Sequence, residues 1–358
     1  DVITIDYVVS HVTDSGETEY YNVEEYFRLR PTDTRMYVLN YERTMNQIFN
    51  SENSFAKDPT NIMLGIRDGS VEYKTNEAEN VVAFVQQGDL FSYNQTNNEL
   101  TKVFSFRSPE GIDIRENWNQ HDIKIVSVDE AGSIDFIVYG YMNRGNHEGE
   151  VGTCVYHYDG LAHTIEEEAF IPSKSSYEVL KAEMGKLLYV NENGILYLMF
   201  EGNVYEIKLD SLKVEKIVKN LEAGCYATSY DNQYFSWVDV DSQYSTTELS
   251  VMNLKTKEVI KINKGDDQYL RPLGFIGNDF IYGVANAADV ISDAAGNTTF
   301  PMHSIIIMDV TDQTQLKEYT PASGYVDSIA IDDYTINVNL IAASNGVYTA
   351  SGSDTIMN

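Results

Sequence analysis

An all-β fold built from a repeated antiparallel unit is what this sequence predicts, on three observations. The first is a pattern that occurs six times: an apolar strand ending in Asn or Asp, a polar turn, then a second strand. It is found at 37–49 (YVLN-YERTMNQIF), 90–106 (LFSYN-QTNNELTKVFSF), 155–170 (VYHYD-GLAHTIEEEAF), 204–218 (VYEIKLD-SLKVEKIV), 249–262 (LSVMN-LKTKEVIKI) and 305–319 (IIIMD-VTDQTQLKEY). The strand-ending anchors are Asn40, Asn94, Asp159, Asp210, Asn253 and Asp309, at steps of 54, 65, 51, 43 and 56 residues. The second is that Tyr, Val and Ile gather in short alternating runs, which is strand chemistry. Turn signals such as NENG at 191–194 and IGND at 276–279 separate these runs. The third is that no long helical segment lies between copies. A hairpin recurring at this period predicts a β-propeller of four-stranded antiparallel blades.

Each hairpin extends upstream into a four-stranded unit. The second unit reads as strands at 61–66, 80–85, 89–93 and 100–106, and the third as 122–128, 133–142, 152–158 and 163–170. The fourth reads as 177–183 with 186–190, then 195–200, 203–209 and 213–218. The fifth takes 225–229, 233–239, 247–252 and 257–262, and the sixth 270–275, 279–285, 303–308 and 315–319. Two or three further strands follow at 325–331, 335–342 and 347–351, while Val2–Val12 is a strand to spare before the first unit. Pairing that surplus strand with the incomplete last blade would close the ring and remove exposed sheet edges. Seven blades are expected, with six or eight as alternatives, in a single domain spanning 1–358. Helix is considered only at Val23–Leu29 or Glu42–Phe49.

Composition narrows the function classes. The chain has 25 Lys and Arg against 55 Asp and Glu, a formal net charge of −30. Such a surface repels phosphates and anionic headgroups, so neither nucleic-acid binding nor membrane insertion is expected. No apolar run approaches the roughly 20 residues of a membrane span. Cys154 and Cys225 stand 71 residues apart without metal-type spacing and are expected to be small core residues. A chain that starts at Asp1 is expected to be a processed mature protein or an excised piece. Few cysteines, with abundant Tyr, Asn, Thr and Asp, suggest a secreted or cell-surface protein of a Gram-positive bacterium, acting as a monomer.

The hairpin consensus of apolar–x–apolar–Asp/Asn followed by a charged strand resembles the blades of secreted TolB-like and YncE-like propellers. The resemblance covers nearly the whole chain and implies binding or scaffolding, with no family-wide catalytic residues to carry over. WD40 and Kelch blades are poorer matches, because no Gly-His/Trp-Asp pair or double glycine recurs.

Candidate chemistry lies mainly in the interruptions. Two long connections occupy the same place between second and third strands, at 143–152 and 285–302. Long loops on a rigid scaffold carry function more often than the strands do. Arg144 and His147 in the first, with Trp118 in RENWNQH, are the candidate ligand-binding residues. Asp289, Asp293 and Asn297 in the second offer alternating oxygen ligands suited to calcium, the one cofactor considered, though the EF-hand pattern is absent. Asp239 and Asp241 are a weaker pair of the same kind. His157, His163 and Cys154 flank one hairpin, but ligands two or three apart on a strand do not converge tetrahedrally. Asp68, Asp122, Glu178, Asp231 and Asp327 stand near the ends of inner strands, where a glycosidase would need a carboxylate pair. Trp237 reads as core rather than as a sugar platform. The expected function is a non-enzymatic binding or scaffold propeller for a protein or carbohydrate ligand. A carbohydrate-active enzyme with acids at the central tunnel is the alternative.

Overall fold

Asn or Asp at the end of a strand can accept two backbone N–H groups and so reverse the chain without help from elsewhere. The same turn recurs in the computed structural model at four anchors. Asn94 Oδ1 accepts from the backbone of Thr96 and Asn97, and Asp159 Oδ1 from Leu161 and Ala162. Asn253 Oδ1 serves Lys255 and Thr256, and Asp309 Oδ1 serves Thr311 and Asp312. The fourth residue after each anchor takes a left-handed conformation: Asn98 (φ 50°), His163 (φ 53°), Lys257 (φ 67°) and Gln313 (φ 54°). Each turn then hands over to a partner strand in antiparallel register. Asp210 lies outside the described residues, which are 2–14, 16–48, 56–58, 61–62, 71–108, 113, 115–209, 211, 213–332, 335–344 and 346–357.

Two compact units divide the chain, residues 1–182 and 183–358. Unit 1 opens with a three-stranded sheet, β1 (Val2–Val12), β2 (Thr18–Pro31) and β3 (Met36–Ile48), followed by a short pair, β4 (Ala56–Asp58) and β5 (Asn61–Ile62). Two four-stranded meanders come next. The first is β6 (Tyr73–Thr75), β7 (Val81–Gln86), β8 (Asp89–Asn94) and β9 (Glu99–Phe104). The second is β10 (His121–Val128), β11 (Ile134–Tyr141), β12 (Val151–Asp159) and β13 (Thr164–Pro172). They pack through one apolar cluster that includes Ala83, Leu90 and Val103 from the first and Ile125, Phe136, Val138 and Cys154 from the second. Helix α1 (Tyr177–Glu183) follows.

Unit 2 holds the meander β14 (Leu188–Val190), β15 (Ile195–Phe200), β16 (Asn203–Lys208), β17 (Lys213–Val218). The next is β18 (Tyr226–Thr228), β19 (Tyr234–Trp237), β20 (Glu248–Asn253), β21 (Val259–Asn263). A larger sheet follows, with β22 (Gln268–Ile276), β23 (Asp279–Asn286), β26 (Met302–Asp309) and β27 (Thr314–Tyr319) as its meander. The small hairpin β24 (Ile291–Ser292) and β25 (Thr298–Thr299) is inserted after β23. β28 (Tyr325–Asp332), β29 (Thr335–Ser344) and β30 (Val347–Met357) join this sheet through the pair Met302 and Val326. Successive four-stranded antiparallel meanders are the blades of a β-propeller, the fold class expected.

Five readings are corrected. Val2–Val12 pairs along its whole length with Thr18–Pro31, in a sheet of its own with β3, and so is not a closing strand. Asn40 ends no strand: Met36–Ile48 runs through it, held by β2 from Tyr20 to Pro31 with one bulge opposite Arg28 and Leu29. Val23–Leu29 is therefore strand, as is the described part of Glu42–Phe49, because pairing on both sides of β2 overrides local helical character. The first strand of the second unit is Tyr73–Thr75 rather than 61–66, of which 61–62 pairs with β4 and 63–66 lies outside the described residues. The segment 177–183, read as strand, is helical. It opens with Ser176, whose carbonyl accepts from Leu180 N–H at 3.1 Å, and has Glu178 in its first turn and Lys181 in its last.

Candidate binding surfaces

Alternation along β1–β3 sorts their side chains onto two faces. The register puts Ile3 beside Phe27, Phe27 beside Tyr41, and Leu29 beside Val38, all on one face. Phe27 and Tyr41 pack with ring centroids 4.9 Å apart, and Tyr41 donates to Glu25 Oε1 at 2.7 Å. Toward Val23 this face is covered. Outward it is open: Ile3 and Ile5 are each 44% exposed, Met36 and Val38 each 59%, and Tyr41 47%. The opposite face mixes Asp6, Asn22 and Arg28 with exposed Val2, Val12 and Tyr37, and meets the loops of unit 1, where Asn22 Nδ2 donates to Gln87 Oε1 (3.1 Å) and Asn119 Nδ2 to Asp6 Oδ1 (3.4 Å). A row of apolar residues across paired strands normally marks a buried face. Here it faces solvent, as interaction patches do.

Charge sets the same region apart. Residues 25–43 contain Arg28, Arg30, Arg35 and Arg43 against Glu25, Asp33 and Glu42, four minus three or net +1, in a chain of net −30. Sequence reading missed this surface because it took 37–49 for a hairpin. The signal available was the alternation Ile3, Ile5, Tyr7, Val9 along β1.

The residues chosen from sequence, Trp118, Arg144 and His147, come together beside it. Asn143, 1% exposed, donates through Nδ2 to the carbonyls of Glu116 (3.2 Å) and Trp118 (2.8 Å), tying the 143–150 connection to the Trp118 segment. Trp118 is itself 46% exposed and precedes Asn119, the residue bonded to Asp6. Arg144 pairs with Asp113, with Glu148 at 3.0 Å and with Glu116 at 3.4 Å. Arg115 pairs with Asp113 at 2.7 Å and Glu148 at 3.1 Å. The hydrogen bonds from Arg115 and Arg144 hold the Asp113 carboxyl far below the usual range. Burial pushes Glu116 upward, but the Ser108 backbone and hydroxyl and Arg144 outweigh it and leave the carboxyl lowered. His147 stacks on Phe170 with centroids 3.7 Å apart and contacts Glu167 Oε1 at 2.9 Å. The arginines are thus consumed in holding the loop, and the group left open to a ligand is the Trp118 indole.

The calcium candidates are placed differently from one another. Asp293 caps its own hairpin turn, accepting from Ala295 N, Asn297 N and Asn297 Nδ2 at 2.8–2.9 Å. Asp289 lies in a short 3₁₀ turn and accepts from Asn286 Nδ2 at 2.8 Å. Among the described residues no group of three His, Cys, Asp or Glu side chains is arranged to hold a metal. His157 bonds Asp135 (2.7 Å) and His163 bonds Tyr158 (2.7 Å), so the two turn to different partners. His163 also lines a polar cleft of about 250 Å³ with Asn94, Glu99 and Tyr158. His121 is buried, and burial and the Arg107 charge lower its pKa to about 4, so it is a neutral core histidine near neutrality. Of the inner-strand acids, Asp122 is ion-paired with Lys181 (3.2 Å), Asp231 is bonded within its own turn, and Asp327 contacts Ser328. Glu178 sits in the first turn of α1, and Asp68 is outside the described residues.

One carboxyl beside His157 gives a pH prediction. Glu168 is the extra residue of the bulge where β13 pairs β12, and its Oε2 is buried with no partner among the described residues. Burial, then the Asp135 charge, raise its pKa to about 7, with His157 opposing. The folded protein therefore keeps a proton that the unfolded chain releases near pH 4.5. This contribution to stability is present below about pH 4.5 and is lost as pH rises through about 7. Glu168→Gln should accordingly gain thermal stability relative to wild type between pH 5 and pH 8. A melting-temperature difference that is flat across that window would rule the account out.

No family model matches the sequence, and neither does any curated protein. Among solved structures the chain is similar to one in "Crystal Structure of Mitotic Checkpoint Complex", with TM-score 0.33 and 10% identity over 79% of this chain and 76% of that one. It is also similar to one in "Crystal structure of Chaetomium thermophilum Raptor", with TM-score 0.31 and 11% identity over 75% of this chain and 22% of that one.

Proposed function

We propose that this chain is a non-enzymatic binding scaffold for a protein ligand, at the cell surface or outside the cell. The observation that carries the reading is the outer half of the β1–β3 sheet, an apolar face open to solvent inside a locally cationic segment. Ile5, Val38 and Tyr41 supply the area that association needs, and rigid aromatic side chains such as Tyr41 and Trp118 are typical anchors of protein interfaces. The arginines at 28, 30, 35 and 43 reduce, at that spot, the repulsion a −30 chain exerts on other acidic proteins. The preferred ligand is therefore a protein with an apolar patch in an acidic rim. The extracellular setting is supported by the sparse cysteines and by the resemblance to secreted propellers.

The test places a photo-crosslinking amino acid at Val38 and irradiates the protein in extract of its own organism. One discrete protein adduct is expected, and it should disappear when Ile5→Asp and Tyr41→Asp are combined. Both side chains are exposed, so the melting temperature should stay within the range of surface substitutions. Absence of a protein adduct, or an adduct that survives the double variant, would overturn the proposal.

A further inference from the structure

In an antiparallel meander the first strand begins at the same end at which the second strand hands over to the third. In unit 2 that end gathers three loop residues around one arginine. Arg271, on β22 near its start, has its guanidinium carbon 5.8 Å from the Tyr244 ring centroid and 5.9 Å from that of Phe300. Tyr244 belongs to the β19–β20 connection and Phe300 to the long connection before β26. On a third side is Gly224, in the segment leading into β18, with φ of +89°. A Cβ built there would lie 2.7 Å from Arg271 Nη2, so any other residue would displace the guanidinium.

What distinguishes this arginine is partial burial without an anion, since the other described arginines that lack an ion pair, Arg28, Arg30 and Arg35, are exposed. Arg107, Arg115 and Arg144 each hold carboxylates. Arg271 is partly buried, yet its guanidinium makes no hydrogen bond or ion pair with any described residue, in a chain carrying 55 acidic side chains. Two aromatic rings and a glycine surround the group while leaving its N–H donors unspent. A planar fork of that kind matches a carboxylate in bidentate fashion, and partial burial strengthens the pairing relative to open water.

We propose that Arg271, with Tyr244, Phe300 and Gly224, forms a carboxylate-recognition site that takes an acidic side chain or the C-terminal carboxylate of a peptide. This rests on the protein-ligand reading for the nature of the ligand. Tyr244, partly buried, offers an apolar wall to the carbon atoms next to the carboxylate, while Phe300, 3% exposed, backs the guanidinium from the core. Gly224 leaves room for the guanidinium itself.

The probes are N-acetylglutamic acid α-amide for a side-chain carboxylate and N-acetylglycine for a chain terminus. Neutral N-acetylglutamine amide, glucuronate and sulfate are the controls. Binding is read from the Arg271 Nε–H resonance of the ¹⁵N-labelled protein. Saturation is expected with one or both peptide carboxylates at a dissociation constant on the order of 10 mM, the affinity a ligand of this size can reach. Acetylglutamine amide should not bind. Arg271→Lys should weaken binding by about tenfold or more, since a point charge loses the bidentate fit. Arg271→Met, which keeps the packed stem, should abolish the effect as read from neighbouring Gly224 while the rest of the spectrum stays native. No saturable response, an undiminished response in Arg271→Met, or tighter binding of glucuronate would each overturn the proposal. Equal binding of sulfate would mean an adventitious ion only and would overturn it as well. Failure of crosslinking at Val38 with these carboxylates still binding would remove the protein-scaffold reading and leave the carboxylate site standing.

Discussion

Phe136→Ala is expected to destabilise unit 1 by about 3–5 kcal/mol, the range for deleting a fully buried aromatic ring. The side chain is 0% exposed and lies in the cluster that joins the two meanders of this unit. Its ring stacks on Tyr156 with centroids 5.3 Å apart at 19°, and meets Phe104 edge-on at 5.5 Å and 60°. Phe104 belongs to β9 and Tyr156 to β12, so the ring bridges neighbouring sheets rather than filling a gap within one. Removing it loses the transfer free energy and leaves a cavity that strands paired on both sides cannot collapse to fill. Phe136→Leu, which keeps most of the volume, should cost under about 1.5 kcal/mol. Denaturant unfolding followed by Trp118 emission in a Trp237→Phe background reads this unit specifically. A Phe136→Ala loss below about 1 kcal/mol would show that the ring stack does not hold the two sheets together.

The blades were legible because each carries its own turn chemistry. Asn94, Asp159, Asn253 and Asp309 set their reversals with their own side chains, a local device that sequence displays openly. Asn40 has the same residue type after the same apolar run, yet its Oδ1 accepts only from the next backbone N–H, of Tyr41. There the ladder to β2 on one side fixes the chain as strand, and tertiary pairing is not visible in a local motif. The closing strand failed for a related reason. β1 has a partner adjacent in sequence, and eleven register pairs with β2 form at low loop-closure cost.

The candidate site was half legible. Arg144, His147 and Trp118 were found as unusual residues in an interruption, and the structure does bring their segments together. Their roles could not be read, because Asp113, Arg115, Glu116 and Glu148 determine them through long-range ion pairs. A lone Arg in a loop looks like a ligand contact, whereas two arginines sharing three carboxylates are a brace. Arg271 is the converse case. Nothing in the run LRPLGF marks it, and only the positions of Tyr244, Phe300 and Gly224 in space reveal a guanidinium without an anion.

Asn143 is where the brace can be broken from below. Its Nδ2 donates to two backbone carbonyls, Glu116 O and Trp118 O, and its Oδ1 is buried without a partner among the described residues, so donation is its whole role. Asn143→Ala takes the partner from the buried Glu116 carbonyl and from the part-buried Trp118 carbonyl, which should cost about 1–3 kcal/mol at the usual penalty for a lost buried partner. Asn143→Asp should cost more. It sets an acceptor-only group against two carbonyl oxygens at a position only 1% exposed. In both variants the Trp118 segment should detach from the 143–150 connection, and Trp118 emission should shift to longer wavelength under native conditions. Crosslinking through Val38 provides the functional readout. The β1–β3 sheet meets this segment through Asp6 and Asn119, so loosening it should weaken adduct formation without touching the apolar face itself. A native-like Trp118 spectrum in Asn143→Asp, with stability within about 1 kcal/mol of wild type, would mean that the loop is held by the Arg144 pairs alone.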